Sequence, residues 1–221
     1  YTITARQSDV AGNVSANASS ITVVIDQTAS AAPVISGIST GVYTTSQTFT
    51  VSGESGAMIE YSLDGGTTWL AYSAAITLTN DGSYTITARQ SDVAGNVSAN
   101  ATSITVVIDT TAPTANFTAA TDNVGTVTGA LTSGNTTDDT ALVLSGTNES
   151  GSSVKVYNSS TELGAATVSG TSWSYSATVA NGTTYQFNVK ETDLAGNTSA
   201  ATNNFEVTGD TTAPTLSSSS P

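Results

Sequence analysis

The chain has 221 residues with no Cys, no His and one Met, and its four basic residues face seventeen acidic ones for a net charge of −13. Disulfides, thiolate zinc sites and histidine acid/base or metal chemistry are therefore excluded. The charge argues against binding nucleic acid or anionic lipid, both of which need Lys and Arg, and favours divalent cations. No stretch approaches the roughly 18 apolar residues of a membrane span, and no signal peptide is visible.

The chain opens on YTITARQSDVAGNVSANASSITVVID, residues 1–26, which recurs at 84–109 with Ser19 against Thr102 as the one difference. A diverged third copy, YQFNVKETDLAGNTSAATNNFEVTGD, spans 185–210. Each copy sets a Tyr (Tyr1, Tyr84, Tyr185) eight residues before an Asp (Asp9, Asp92, Asp193) that opens D-x-A-G-N, and a second Asp (Asp26, Asp109, Asp210) follows 17 residues later. Alternation at Tyr84, Ile86 and Ala88, and again at Ile104, Val106 and Ile108, predicts two half-buried strands. D-x-A-G-N is their turn, and T-A-P ends the ladder because Pro lacks the donor. Each copy thus reads as the last hairpin of a domain followed by a linker, and residues 1–26 as the end of a preceding, truncated repeat.

After a linker at 27–33, strands are expected near 34–38, 47–53, 57–63, 67–72, 74–79, 83–91 and 98–108, with a tight turn at Asp64-Gly65-Gly66. After a second linker at 110–112, they are expected near 114–119, 140–146, 152–158, 161–168, 172–179, 183–190 and 202–208. Residues 120–139 form a long loop with no strand of its own, and 211–221 is a linker toward a further repeat. About seven short strands per unit, with regular turns and no helical period, predict an all-β chain. The expected architecture is tandem Ig-like Greek-key sandwiches at 34–109 and 113–210, in an extended array. The Tyr near the start of each penultimate strand suits either a tyrosine corner or an ordinary core position.

The D-T-T-A-P linkers and the Tyr-to-D-x-A-G-N hairpins resemble the bacterial Ig-like repeats of giant repeats-in-toxin (RTX) adhesins and biofilm-associated surface proteins. The second unit, with T-D-N-V-G, T-S-G-N-T-T-D-D and L-S-G-T, is similar to their calcium-binding subtype. That resemblance implies an extracellular chain, secreted or on a bacterial surface, that supports cell adhesion or biofilm formation as a calcium-stiffened rod. Its partners would be neighbouring repeats of the same chain, with no nucleic acid and no membrane insertion; weak lateral self-association is left open.

Sandwich topology says which acids could share Ca2+, which takes six to eight oxygens. The linker entering a domain and the loop between its last two strands lie at one pole. This pairs Asp109 with Asp193 and Asn197, and Asp26 with Asp92 and Asn96. At the opposite pole the 120–139 loop brings Asp122, Asn123, Asp138 and Asp139 toward Asp210, where close carboxylates would repel without a cation. For any one Asp, capping a turn is an equal alternative. Trp69 and Trp173 are either a sugar-stacking platform or core. Without His no nucleophile–base–orienter set can be built, so no enzyme is expected. A structural extender, a glycan- or protein-binding module and an accessory region of a large secreted hydrolase remain as three readings.

Overall fold

The computed structural model describes residues 1–216, so part of the expected 211–221 linker lies outside the described residues. Among the described residues there is no helix, and short strands form sandwiches whose pairings are antiparallel except for one parallel edge strand. Two compact units result: Tyr1–Gly41 with Ser46–Val107, and Val42–Thr45 with Ile108 onward.

The repeated sequence adopts two forms. Near the N-terminus, β1 (Thr2–Ile3) and β2 (Ile21–Thr22) share only the pairs Thr2↔Thr22 and Ile3↔Ile21. The second copy makes β9 (Gly82–Ser91) and β10 (Ile104–Ile108) inside a five-stranded sheet. Ile3 is 56% exposed and its counterpart Ile86 is 0% exposed. The difference is tertiary: strand preference is mostly the fit of side chains to neighbouring strands and a facing sheet. Among the described residues, β1 and β2 have only each other as neighbours in a two-stranded sheet.

In the first sandwich, β3 (Val34–Ser36), β5 (Gln47–Ser52) and β8 (Ile76–Leu78) form the smaller sheet. The larger sheet has the order β4 (Gly41–Tyr43), β10, β9, β6 (Met58–Ser62) and β7 (Leu70–Ala71). Alternate residues Phe49, Val51, Leu78, Ile86, Ala88, Val106 and Ile108 bury the period-2 face predicted from sequence. The strand expected at 34–38 is β3, and the stretch read as the following loop holds a further strand, β4, in the other sheet. Gly37 makes the turn at φ +86°, where a Cβ would also lie 3.2 Å from the Thr48 carbonyl.

The second sandwich pairs β12 (Gly129–Ala130), β11 (Asn116–Asp122), β14 (Ala141–Thr147), β18 (Ser172–Thr178) and β17 (Thr167–Ser169) in one sheet. The other holds β13 (Asn135–Thr137), β20 (Phe205–Gly209), β19 (Thr184–Thr192), β15 (Ser153–Asn158) and β16 (Thr161–Ala165). Its core gathers Leu142, Leu144, Val154, Val156, Trp173, Phe187, Val189 and Val207. Two expectations are corrected. The strand expected at 161–168 is β16 and β17, which pair in opposite sheets. The 120–139 loop carries strands after all: Gly129–Ala130 pairs with Thr121–Asp122, and Asn135–Thr137 runs parallel to β20. These segments are too short and polar to show a period, and their partners lie far away in sequence.

Tyr84 donates its hydroxyl to the Asn80 carbonyl at 2.8 Å, and Tyr185 Oη accepts from the Ala180 amide at 3.0 Å. Both rings therefore tie the start of their strand to backbone a few residues upstream, as a tyrosine corner does.

Candidate functional site

The D-x-A-G-N turns build themselves from local bonds. Asn13, Asn96 and Asn197 each donate their backbone N–H to Oδ1 of the Asp four residues earlier, at 2.8, 2.9 and 2.9 Å. Each also donates Nδ2 to that Asp's Oδ2, at 2.8, 2.8 and 2.9 Å. The carboxylates are held below their ordinary pKa range. The Asn side-chain bond is the leading cause for Asp9 and Asp92. For Asp193, desolvation pushes the other way and the bonds from Asn197 and Gly196 outweigh it.

The linker aspartates meet these turns through their backbone. Asn96 Nδ2 lies 3.2 Å from the Asp26 carbonyl, and Asn197 Nδ2 lies 2.8 Å from the Asp109 carbonyl. The side chains of Asp26, Asp109 and Asp210 instead cap the linker itself, each Oδ1 accepting from the amide two residues on: Thr28, Thr111 and Thr212. So the structure brings Asp26 to Asp92 and Asn96, and Asp109 to Asp193 and Asn197. In both groups the Asn amide is the bridge.

At the other pole of the second sandwich, Asp122 and Asp139 are buried, at 4% and 2% exposure. Asp122 accepts from the Val124 amide and the Thr137 hydroxyl, and Asp139 accepts from the amides of Asn123 and Ala141. Asp138 is exposed and lies against Gly125. Asp122, Asp138 and Asp210 border one cavity of about 280 Å³ together with Thr137. Asn123 joins this group through its backbone. Their hard oxygens suit calcium in kind, but among the described residues no three acidic side chains converge closely enough to hold an ion between them.

The two tryptophans are engaged within the fold. Trp173 is 2% exposed and donates Nε1–H to the Asn116 carbonyl at 3.0 Å. Trp69 is covered by the Arg89 guanidinium, 4.2 Å from its ring, and Arg89 is paired with Glu60 at 2.8 Å. A groove of about 440 Å³ in the second sandwich is lined by Asn116, Phe117, Asn203, Asn204 and Phe205. Its two rings stack on each other at 5.2 Å.

Three polar residues escape a reading of the acids alone: Asn148, Ser152 and Glu191, all buried in the second sandwich. The repeat itself carries the signal, because Glu191 stands where the two other copies have Gln7 and Gln90.

An Ig-like β-sandwich with short capped linkers is the class that this geometry defines, and residues 112–211 match the bacterial Ig-like domain family. Over 229 aligned residues the chain is 34% identical to Exoglucanase B of Cellulomonas fimi, a match that covers 94% of this chain and 20% of that protein. The chain thus spans about a fifth of that relative's length. Among solved structures, the fibronectin(III)-like modules of Clostridium thermocellum CbhA align over 80% of this chain and 94% of theirs, at 15% identity and a TM-score of 0.42. The Bacteroides ovatus mixed-linkage glucan utilization locus protein SGBP-B, in complex with a mixed-linkage heptasaccharide, aligns over 81% of this chain and 70% of its own, at 10% identity and a TM-score of 0.26.

Proposed function

We propose that this chain is a non-catalytic Ig-like spacer from a secreted, multidomain polysaccharide hydrolase. The observation that carries the reading is the relationship to Exoglucanase B, which runs through nearly the whole chain and occupies only a fifth of that protein. A segment of that kind works by length and orientation. Its tools are the ones described above: self-capped turns, and linkers bonded through an Asn amide to the turn of the following domain. The near-identical copies at 1–26 and 84–109 fit a part whose length matters more than its individual surface.

The experiment is a pull-down of the 221-residue chain on insoluble cellulose and mixed-linkage glucan, together with an assay for reducing ends. The expected outcome is no retention and no hydrolysis. Saturable retention would overturn the spacer reading in favour of a carbohydrate-binding module.

The adhesin rod is the rival parent for the same module. Sequencing the parent gene on both sides of this segment separates the two, since the reading requires a glycoside hydrolase domain in the same frame. Calcium at the Asp122/Asp138/Asp210 pole belongs to either parent. It is supported by the carboxylate and hydroxyl oxygens that border one cavity there.

A further inference from the structure

The slot that β9 and β10 fill in the first sandwich takes a sequence that this chain carries twice. The fit there is specific. Strand β6 pairs with Thr87–Ser91, and the Thr85 amide donates to the Leu63 carbonyl at 2.9 Å. Arg89 pairs with Glu60 and covers Trp69. Gln90 Oε1 accepts from the Glu54 amide at 2.9 Å, and its Nε2 donates to the Ala31 carbonyl at 2.7 Å. Ile86, Ala88 and Val106 enter the core. All of these hairpin residues recur unchanged in 1–26, among them Ile3, Ala5, Arg6, Gln7 and Val23. The one difference, Ser19 for Thr102, falls at an exposed position.

The first copy already has the shape of the second where it matters. Its ladder is shorter, but the bonds that tie its two arms together are the same. Thr4 Oγ1 donates to the Ala18 carbonyl at 2.9 Å, as Thr87 Oγ1 does to the Ala101 carbonyl at 2.8 Å. The Gln7 amide donates to Ser15 Oγ at 3.1 Å, as the Gln90 amide does to Ser98 Oγ at 3.1 Å. A hairpin cross-linked in this way loses less freedom on docking than an open chain would. Its apolar side chains Ile3, Val23 and Ile25 are exposed.

We propose that the exposed face of the 1–26 hairpin is a docking surface for a second copy of this chain, in which it takes the slot of β9 and β10 in the first sandwich. The hairpin does not reach that slot in its own chain. Tyr1 pairs with Val23 and Gln7 with Ser15, so Asp26 lies about nine residue rises, or about 30 Å, from Gln7. The carbonyl that must meet the buried Gln belongs to Ala31, which is no more than about 18 Å from Asp26 even when the linker is fully extended. A second molecule supplies the slot and its own linker together. That fit depends on the identity of the two copies and not on what precedes Tyr1. Where both hairpins are intact, the tether favours the resident one through an effective concentration of millimolar order, so exchange reaches only about 1% at about 10 µM chain.

The test weakens the resident hairpin alone, in the whole chain. Ile86→Asn puts an unpartnered amide in the core and disfavours that hairpin on the order of 10³-fold, which exceeds the tether's advantage of about 10²-fold at about 10 µM. All chains carry Trp173→Phe, so that Trp69 alone reports on the first sandwich. Ile86→Asn is expected to associate from about 10 µM upward in sedimentation and to recover the native Trp69 emission as it does so, with Arg6 of the second molecule over the ring. Ile3→Asn/Ile86→Asn is expected to stay monomeric with Trp69 in water, and Ile3→Asn alone to match its parent. Ile86→Asn that remains monomeric at about 200 µM, folded or not, overturns the proposal. Association that persists in the double variant also overturns it, because the 1–26 hairpin is then not the contact. None of these results bears on glucan retention, so the spacer reading stands or falls separately.

Discussion

Asp64 shows how much of this surface is held by single carboxylates. It accepts from the Thr67 and Thr68 amides, the Thr68 hydroxyl and Ser62 Oγ, and so organises the whole 63–69 turn. These bonds, led by the Thr68 amide, lower its pKa from 3.8 to about 2. A folded-state value below the unfolded one means that the unfolded chain holds the proton more tightly. The stabilisation is therefore complete above the unfolded value of 3.8 and is lost as pH falls through about 2. Asp64→Asn keeps the size and removes the charge. It is expected to melt below wild type at neutral pH and to lose less stability than wild type between about pH 4 and pH 2. Melting followed through Trp69, on the same turn, gives both slopes; equal slopes would mean that the carboxylate does not anchor the turn. The sequence marked Asp64 as a turn residue. It did not show that Asp64 is the acceptor around which the turn closes, because that depends on how the four donors fold back.

At the scale of the strand, the duplicated hairpin separates what is local from what is not. The D-x-A-G-N turn has the same Asp–Asn bonds in all three copies, exposed or not, and it was legible in the sequence because its bonds span four residues. Strand length was not legible, since the same letters give a two-residue strand at Thr2–Ile3 and, in the second copy, strand from Tyr84 through Ser91. The neighbours in the sheet decide that. The same limit hid Asn135–Thr137, whose ladder partner Val207–Gly209 lies far along the chain. It also hid Glu191: a Glu beside Lys190 reads as surface, and only its register with Gln90 reveals a buried position. A paired substitution measures the contrast. Ile86→Ala deletes atoms from a closed core and is expected to cost about 2–5 kcal/mol, whereas Ile3→Ala is expected to fall within about 0.5 kcal/mol of wild type. Urea denaturation of the two variants supplies the comparison, and similar losses would refute a role for context.

For the whole molecule, the question is whether each sandwich carries its own stability. The core of the second is drawn from residues 115–207 alone. Phe187 sits at its centre, 0% exposed and stacked on Tyr185 at 5.4 Å. The chain has two Trp residues, and they fall one to each compact unit, Trp69 in the first and Trp173 in the second. Trp69→Phe and Trp173→Phe backgrounds therefore give a separate optical report on each unit. Phe187→Ala removes a full ring from a packed interior and is expected to destabilise its own sandwich by about 3–5 kcal/mol. In the Trp69→Phe background the Trp173 transition should move to lower urea, while in the Trp173→Phe background the Trp69 transition should stay in place. A spacer built from self-sufficient modules requires that asymmetry, because a repeat can be added or lost without loss of fold only if its neighbours do not depend on its core. Equal movement of both signals would show a single cooperative block, in which the number of repeats could not vary so freely.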